Sequence, residues 1–121
     1  MLRQIASLLF AALVVATPLR AAELVMVEEP GCIYCQQWNA EISEIYPKTP
    51  EGMAAPLVRV VRHTSGMTEY VFVRPVVFTP TFVLVEDGTE LARIEGYPGE
   101  DFFWGLLGVM LKKYTTFEGA S

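Results

Sequence analysis

The chain has two cysteines, and only Ile33 and Tyr34 separate them in Cys32-Ile33-Tyr34-Cys35. A bridge across so short a loop removes little freedom from the unfolded chain, so the pair suits chemistry better than scaffolding. The chemistry is thiol–disulfide exchange, in which a thiolate attacks a disulfide sulfur and a second thiol resolves the mixed disulfide. Cys32 follows Glu28-Glu29-Pro30-Gly31, where an apolar strand ends and a helical pattern begins. There the unpaired N–H groups and positive dipole end of the helix favour thiolate over thiol. Cys35 lies almost one turn further on and inward. Cys32 is therefore the expected nucleophile and Cys35 the expected resolving thiol.

Other uses of the pair fare less well. Haem attachment needs a His directly after the second cysteine, and Gln36 stands there. A structural zinc site needs a complete tetrahedral ligand set. The single histidine, His63, lies 28 residues beyond Cys35 and reads as an ordinary residue at the end of a strand. Two soft thiolates could hold copper(I) in an exported protein, so a copper(I)-binding module, or a redox-inactive chaperone module without turnover, stays open as a different class of function. No nucleotide, flavin or haem site is visible, and no cofactor is expected.

The elements that must position the pair follow from periodicity and turn residues. Leu24–Val27 reads as a buried strand. Cys35, Trp38, Ile42 and Ile45 or Tyr46 recur at helical spacing, predicting a helix over Cys32–Tyr46 that Pro47 stops. Lys48–Pro56 reads as a loop and Leu57–Val61 as a second strand. His63–Thr79 fits no element cleanly, with Pro75 interrupting a Val- and Phe-rich run. Thr81–Glu86, Asp87-Gly88 and Glu90–Glu95 predict a hairpin. A final helix opens with Glu100 and Asp101, which suit the dipole, and runs to about Tyr114. Early alternation and a late hairpin imply an α/β fold with a mixed central sheet and helices packed on its faces.

Residues 1–22 read as a secretory signal, with Arg3 ahead of the apolar stretch Ile5–Ala16 and small residues at Ala21 and Ala22. Leu19 and Arg20 fit a cleavage site poorly, so an uncleaved anchor is the alternative. Loss of that segment takes Arg3 and Arg20, leaving 7 basic against 14 acidic residues over 23–121, a net charge of about −7. An acidic domain argues against nucleic acid and anionic membrane surfaces as partners.

Pro30-Gly31-Cys32-Ile33-Tyr34-Cys35 between strand and helix, followed about 45 residues later by Thr79-Pro80-Thr81 opening a strand, resembles the thioredoxin superfamily. The resemblance spans nearly all of 23–121 and implies the thioredoxin fold: a parallel βαβ half, a C-terminal hairpin, and flanking helices. It further implies a cis peptide before Pro80, which would face the cysteines, and a partner groove around Cys32, Tyr34, Thr79 and Gly96. Ile33 and Tyr34 would shape the contact surface and set redox poise. More narrowly, Phe78–Val83 and Ile94–Gly99 are similar to the exported thioredoxin-like proteins of bacterial sulfur-oxidation systems, often labelled SoxS. That likeness implies a periplasmic reductase that keeps the cysteine of a sulfur-carrier protein free. It would draw electrons from an upstream thiol protein, such as one in the inner membrane.

The chain also departs from the superfamily pattern. Reducing thioredoxins carry a buried Asp six residues before the first cysteine, where this chain has Met26. Glu28 or Glu29 could substitute, although both read first as solvated turn carboxylates. Trp38 and Phe102-Phe103-Trp104 read as packing rather than docking residues, and Tyr97-Pro98-Gly99 reads as a turn. An oxidase or isomerase of exported proteins is the alternative within the same chemistry. Isomerases usually dimerise through an added domain, for which about 99 residues leave no room, and a monomer is expected.

Overall fold

The computed structural model describes residues 11–12 and 21–119, so most of the expected signal segment lies outside the described residues. Four strands form one sheet in the order β2-β1-β3-β4: β1 Ala22–Glu28, β2 Leu57–Val61, β3 Thr81–Glu86 and β4 Thr89–Glu95. β1 and β2 run parallel, while β1–β3 and β3–β4 are antiparallel. Asp87 and Gly88 both take positive φ (54° and 77°), the two-residue hairpin turn whose twist matches the strands. The expected mixed sheet flanked by helices is present.

Strand alternation sorts the core into two sets. Ala22, Leu24 and Met26 of β1 face the helical layer with Phe82 and Leu84 of β3. Against them pack α1 (Ile33–Trp38) through Cys35 and Trp38, and α3 (Glu100–Tyr114) through Phe103, Leu107 and Leu111. Trp38, Phe82 and Phe103 form an aromatic knot with ring centroids 4.9–5.8 Å apart, each fully buried and each pair adding about 0.5–1.5 kcal/mol beyond area burial. Val25, Val27, Val83 and Val85 face the opposite side, under Met67, Tyr70, Phe72 and Val76. That cover comes from the 63–79 stretch: a 3-10 turn at Ser65–Glu69, a bridge from Val71 to Thr89, and otherwise an extended strap.

Two sequence expectations change. The helix predicted over Cys32–Tyr46 is α-helical only to Trp38, widens to a π-turn at Asn39–Ser43, and closes with a 3-10 turn at Tyr46–Lys48. Periodicity still put Trp38, Ile42 and Tyr46 inside, because a local change of pitch leaves them on one face. The predicted Lys48–Pro56 loop contains a short helix, α2 (Pro50–Ala54). Thr49 caps it by accepting the Gly52 N–H at 3.0 Å, and Pro50 stands at the first helical position, where a missing N–H costs nothing. Burial, with a lesser push from Glu51, raises the Tyr46 phenol; it donates to Ala55 O at 2.6 Å and ties α2 to the core.

The strap is pinned by charge. Arg93 and Glu90 of β4 form a two-bond ion pair (2.6 and 2.7 Å) with side chains only 4% and 2% exposed. Glu90 also accepts the Val73 N–H at 3.1 Å, and Arg93 donates to the carbonyls of Arg74 (2.8 Å) and Pro75 (3.3 Å). Burial alone would raise the Glu90 carboxyl, but the hydrogen bonds from Arg93 and Val73 and the charges of Arg93 and Arg74 outweigh it and hold it low.

Two outcomes test this account. A carboxylate whose pKa is lowered by folding contributes stability above its unfolded value and loses it as the pH falls through the folded one. Glu90→Gln should therefore destabilise the chain by about 3 kcal/mol at pH 7, the cost of leaving Arg93 partly unpaired. In urea melts the gap to the parent chain should narrow as the pH drops below the ordinary carboxylate value of 4.5. Gly52→Ala would set a Cβ 1.8 Å from the Tyr46 carbonyl oxygen, and should lower stability by about 2 kcal/mol or more, measured the same way.

Candidate active site

The redox pair sits where β1 leaves the sheet. Pro30-Gly31 turns the chain, with Gly31 at φ 78°, a backbone state L side chains avoid. Cys32 is extended (φ −76°, ψ 107°) and caps α1: its N–H reaches Glu29 O at 3.3 Å, and its Sγ accepts the Cys35 N–H at 3.1 Å. The two cysteines are joined as a disulfide with Cα atoms 5.2 Å apart. Cys32 is half-buried, whereas Cys35 is 3% exposed and packs with the core. An incoming sulfur can therefore meet Cys32 and not Cys35.

Ile33 and Tyr34 stand out at the head of α1, 74% and 58% exposed, and Val77 and Phe78 of the strap are exposed to a similar degree. The Thr79–Pro80 peptide is cis, as the resemblance implies. Pro80 is buried, and its carbonyl accepts the Gly96 N–H at 2.7 Å, tying the start of β3 to the end of β4. Tyr34, Phe78, Thr79, Glu95, Gly96, Tyr97 and Pro98 line one open groove of about 430 Å³. Tyr34, Thr79 and Gly96 share this groove, whereas Cys32 and Pro80 are not part of its lining. Ile33 lies outside the groove lining, on the exposed first turn of α1.

Several site residues were not readable from sequence. Tyr97, expected in a turn, is buried along the groove; its hydroxyl donates to Glu41, and burial together with that carboxylate raises its phenol. Neither Glu28 nor Glu29 is a free turn carboxylate. Glu28 closes β1 and pairs with Arg59 at 2.7 Å. Glu29 accepts from the Thr79 hydroxyl at 3.0 Å and lies 3.6 Å from Arg62. Those partners are 31–50 residues away, so no local spacing could have revealed them. His63 is exposed at φ 65° in the turn after β2. Met26 is fully buried, with Arg59 Nη1 3.7 Å from its sulfur.

A thioredoxin-like domain model matches residues 9–110. Among solved structures, the reduced form of the periplasmic thioredoxin SoxS from Paracoccus pantotrophus is 48% identical, covering 76% of this chain and 97% of its own, with a TM-score of 0.73. Thioredoxin f2 of Chlamydomonas reinhardtii (16% identity, 78% of this chain and 81% of its own, TM-score 0.55) shares the fold alone. So does a malaria-parasite thioredoxin-2 (18% identity, 78% and 84% coverage, TM-score 0.55). No curated protein matches the sequence. A domain match over most of the chain and a relative sharing nearly half its residues place this protein in the thioredoxin-like family, as a thiol–disulfide oxidoreductase.

Proposed function

We propose that the chain is a periplasmic thiol–disulfide reductase that keeps the cysteine of a partner protein, such as a sulfur carrier, reduced. The observation that carries this reading is the 48% identity to a periplasmic thioredoxin SoxS, joined to a cysteine pair with one accessible and one buried sulfur. Residues 1–22 act as the export signal in this reading, and 23–121 as the working domain.

In the reduced chain the Cys32 thiolate, stabilised by the Cys35 N–H, attacks one sulfur of the partner disulfide. That S–S bond breaks, a mixed disulfide forms, and the departing partner sulfur takes up a proton. Cys35 then loses its proton and attacks Cys32 Sγ, releasing the second partner thiol and closing Cys32–Cys35. The partner gains two electrons and the chain loses two. An upstream dithiol protein, such as one in the inner membrane, restores the pair by the same exchange in reverse. Ile33, Tyr34, Thr79, Pro80 and Gly96 form the face on which the partner segment lies, with the chain acting as a monomer. Neither nucleic acid nor an added cofactor has a part in it.

Equilibration against dithiol buffers should give a Cys32–Cys35 potential near or below about −230 mV, on the reducing side of the family range. Cys35→Ser should accumulate a covalent mixed disulfide with a disulfide-bearing partner, stable until dithiothreitol is added, and Cys32→Ser should form none. A potential near about −120 mV would make the chain an oxidant and overturn the reductase reading.

A further inference from the structure

We propose that Glu29 is a positioning residue of the redox site: its carboxylate locks the loop carrying Cys32 to the Thr79–Pro80 corner, so that a protein partner meets both at one fixed spacing. The inference rests on Cys32 being the attacking thiol.

The β1–β3 ladder ends at the Val27–Thr81 pair. Beyond it, residues 29–32 run on from β1 toward Cys32 and residues 76–80 lead into β3 as a separate segment. Glu29 rejoins them. Its backbone carbonyl accepts the Cys32 N–H at 3.3 Å, and its Oε1 accepts from the Thr79 hydroxyl at 3.0 Å. Arg62 braces the junction from the end of β2: its N–H reaches Glu28 O at 2.8 Å, its Nε donates to Val76 O at 2.9 Å, and its Nη1 lies 3.6 Å from Glu29 Oε2. Thr79 lines the groove and precedes Pro80, so whatever sets Thr79 against Cys32 sets how a bound segment presents its sulfur. A small dithiol needs only the exposed sulfur. A polypeptide must lie across both loops, and small misplacements of reacting atoms are costly in rate.

The test is single-turnover exchange with two probes, insulin as the protein disulfide and dithiothreitol as the small thiol, on the full Cys32/Cys35 chain. Glu29→Ala should slow exchange with insulin about tenfold, while reduction of the Cys32–Cys35 disulfide by dithiothreitol stays within about twofold. Glu29→Gln, which keeps an acceptor, should recover most of the insulin rate and guards against misfolding. Equal slowing with both probes, or with neither, would overturn the proposal. If the parent chain oxidises thiols but does not reduce insulin, the reductase reading fails. The same ratios are then taken with reduced, unfolded insulin chains as acceptor of the disulfide, and they still decide the role of Glu29.

Discussion

Both faces of β1 are buried, Leu24 and Met26 beneath the helices, Val25 and Val27 beneath the strap, and β2 and β3 pair along its two edges. A strand in that position has no freedom of register: a slip of one residue would exchange the two apolar sets and move the whole pairing. Where β1 ends is therefore fixed, and with it the place at which Pro30-Gly31 turns the chain and Cys32 caps α1. The same constraint reaches Cys35 from the other side. Trp38, one turn on, is wedged between Phe82 and Phe103, and this holds the helix against the sheet with Cys35 inward. The unequal exposure of the two sulfurs, on which directed exchange depends, is thus a consequence of sheet register and one aromatic knot.

The opposite wall is built by different physics. The strap before Pro80 has a single bridge to the sheet and no helix beyond the turn at Ser65–Glu69. Its backbone groups are satisfied by side chains: Val73 by Glu90, Arg74 and Pro75 by Arg93, Val76 by Arg62. An ion pair as buried as Glu90–Arg93 gains little by itself, because desolvation offsets much of the attraction. Its worth lies in what else it holds, since its remaining donors and acceptor are spent on the strap. With the backbone fixed in this way, Val77 and Phe78 stand in solvent rather than folding inward.

Sequence reading went furthest where a local pattern decides the structure. The four strands, the hairpin turn and α3 follow from alternation, Asp87-Gly88 and helical spacing, and the cysteine pair follows from its own spacing and the turn before it. The failures have separate causes. The π-turn at Asn39–Ser43 changes helical pitch without moving any residue off its face, so periodicity is blind to it. Helix α2 spans five residues, too few to show a period, although Thr49-Pro50 in hindsight carried its cap. The strap, Tyr97–Glu41, Glu28–Arg59 and Glu29–Thr79 are settled by partners brought near only by the completed fold. The resemblance supplied the cis Thr79–Pro80 peptide and the groove around Gly96, which residue types alone did not.

Met26 stands where the resemblance implies a buried acid, and its surroundings suit an apolar side chain. An acid at this buried position would sit among Leu24, Cys35 and Trp38 and would need a partner there. Methionine fills the space without that demand. Arg59, on the neighbouring strand, touches the Met26 sulfur only at 3.7 Å and turns outward, binding Glu28 at 2.7 Å, Asn39 at 2.9 Å and Ser43 at 2.8 Å while lying 5.7 Å from the Trp38 ring. Asn39 and Ser43 are the two ends of the π-turn, so the guanidinium clamps the segment where helical pitch changes. The interior behind Cys35 is left without a carboxylate among the described residues of its core cluster. Glu29, whose side chain accepts from the Thr79 hydroxyl, holds the Cys32 N–H through its own backbone carbonyl.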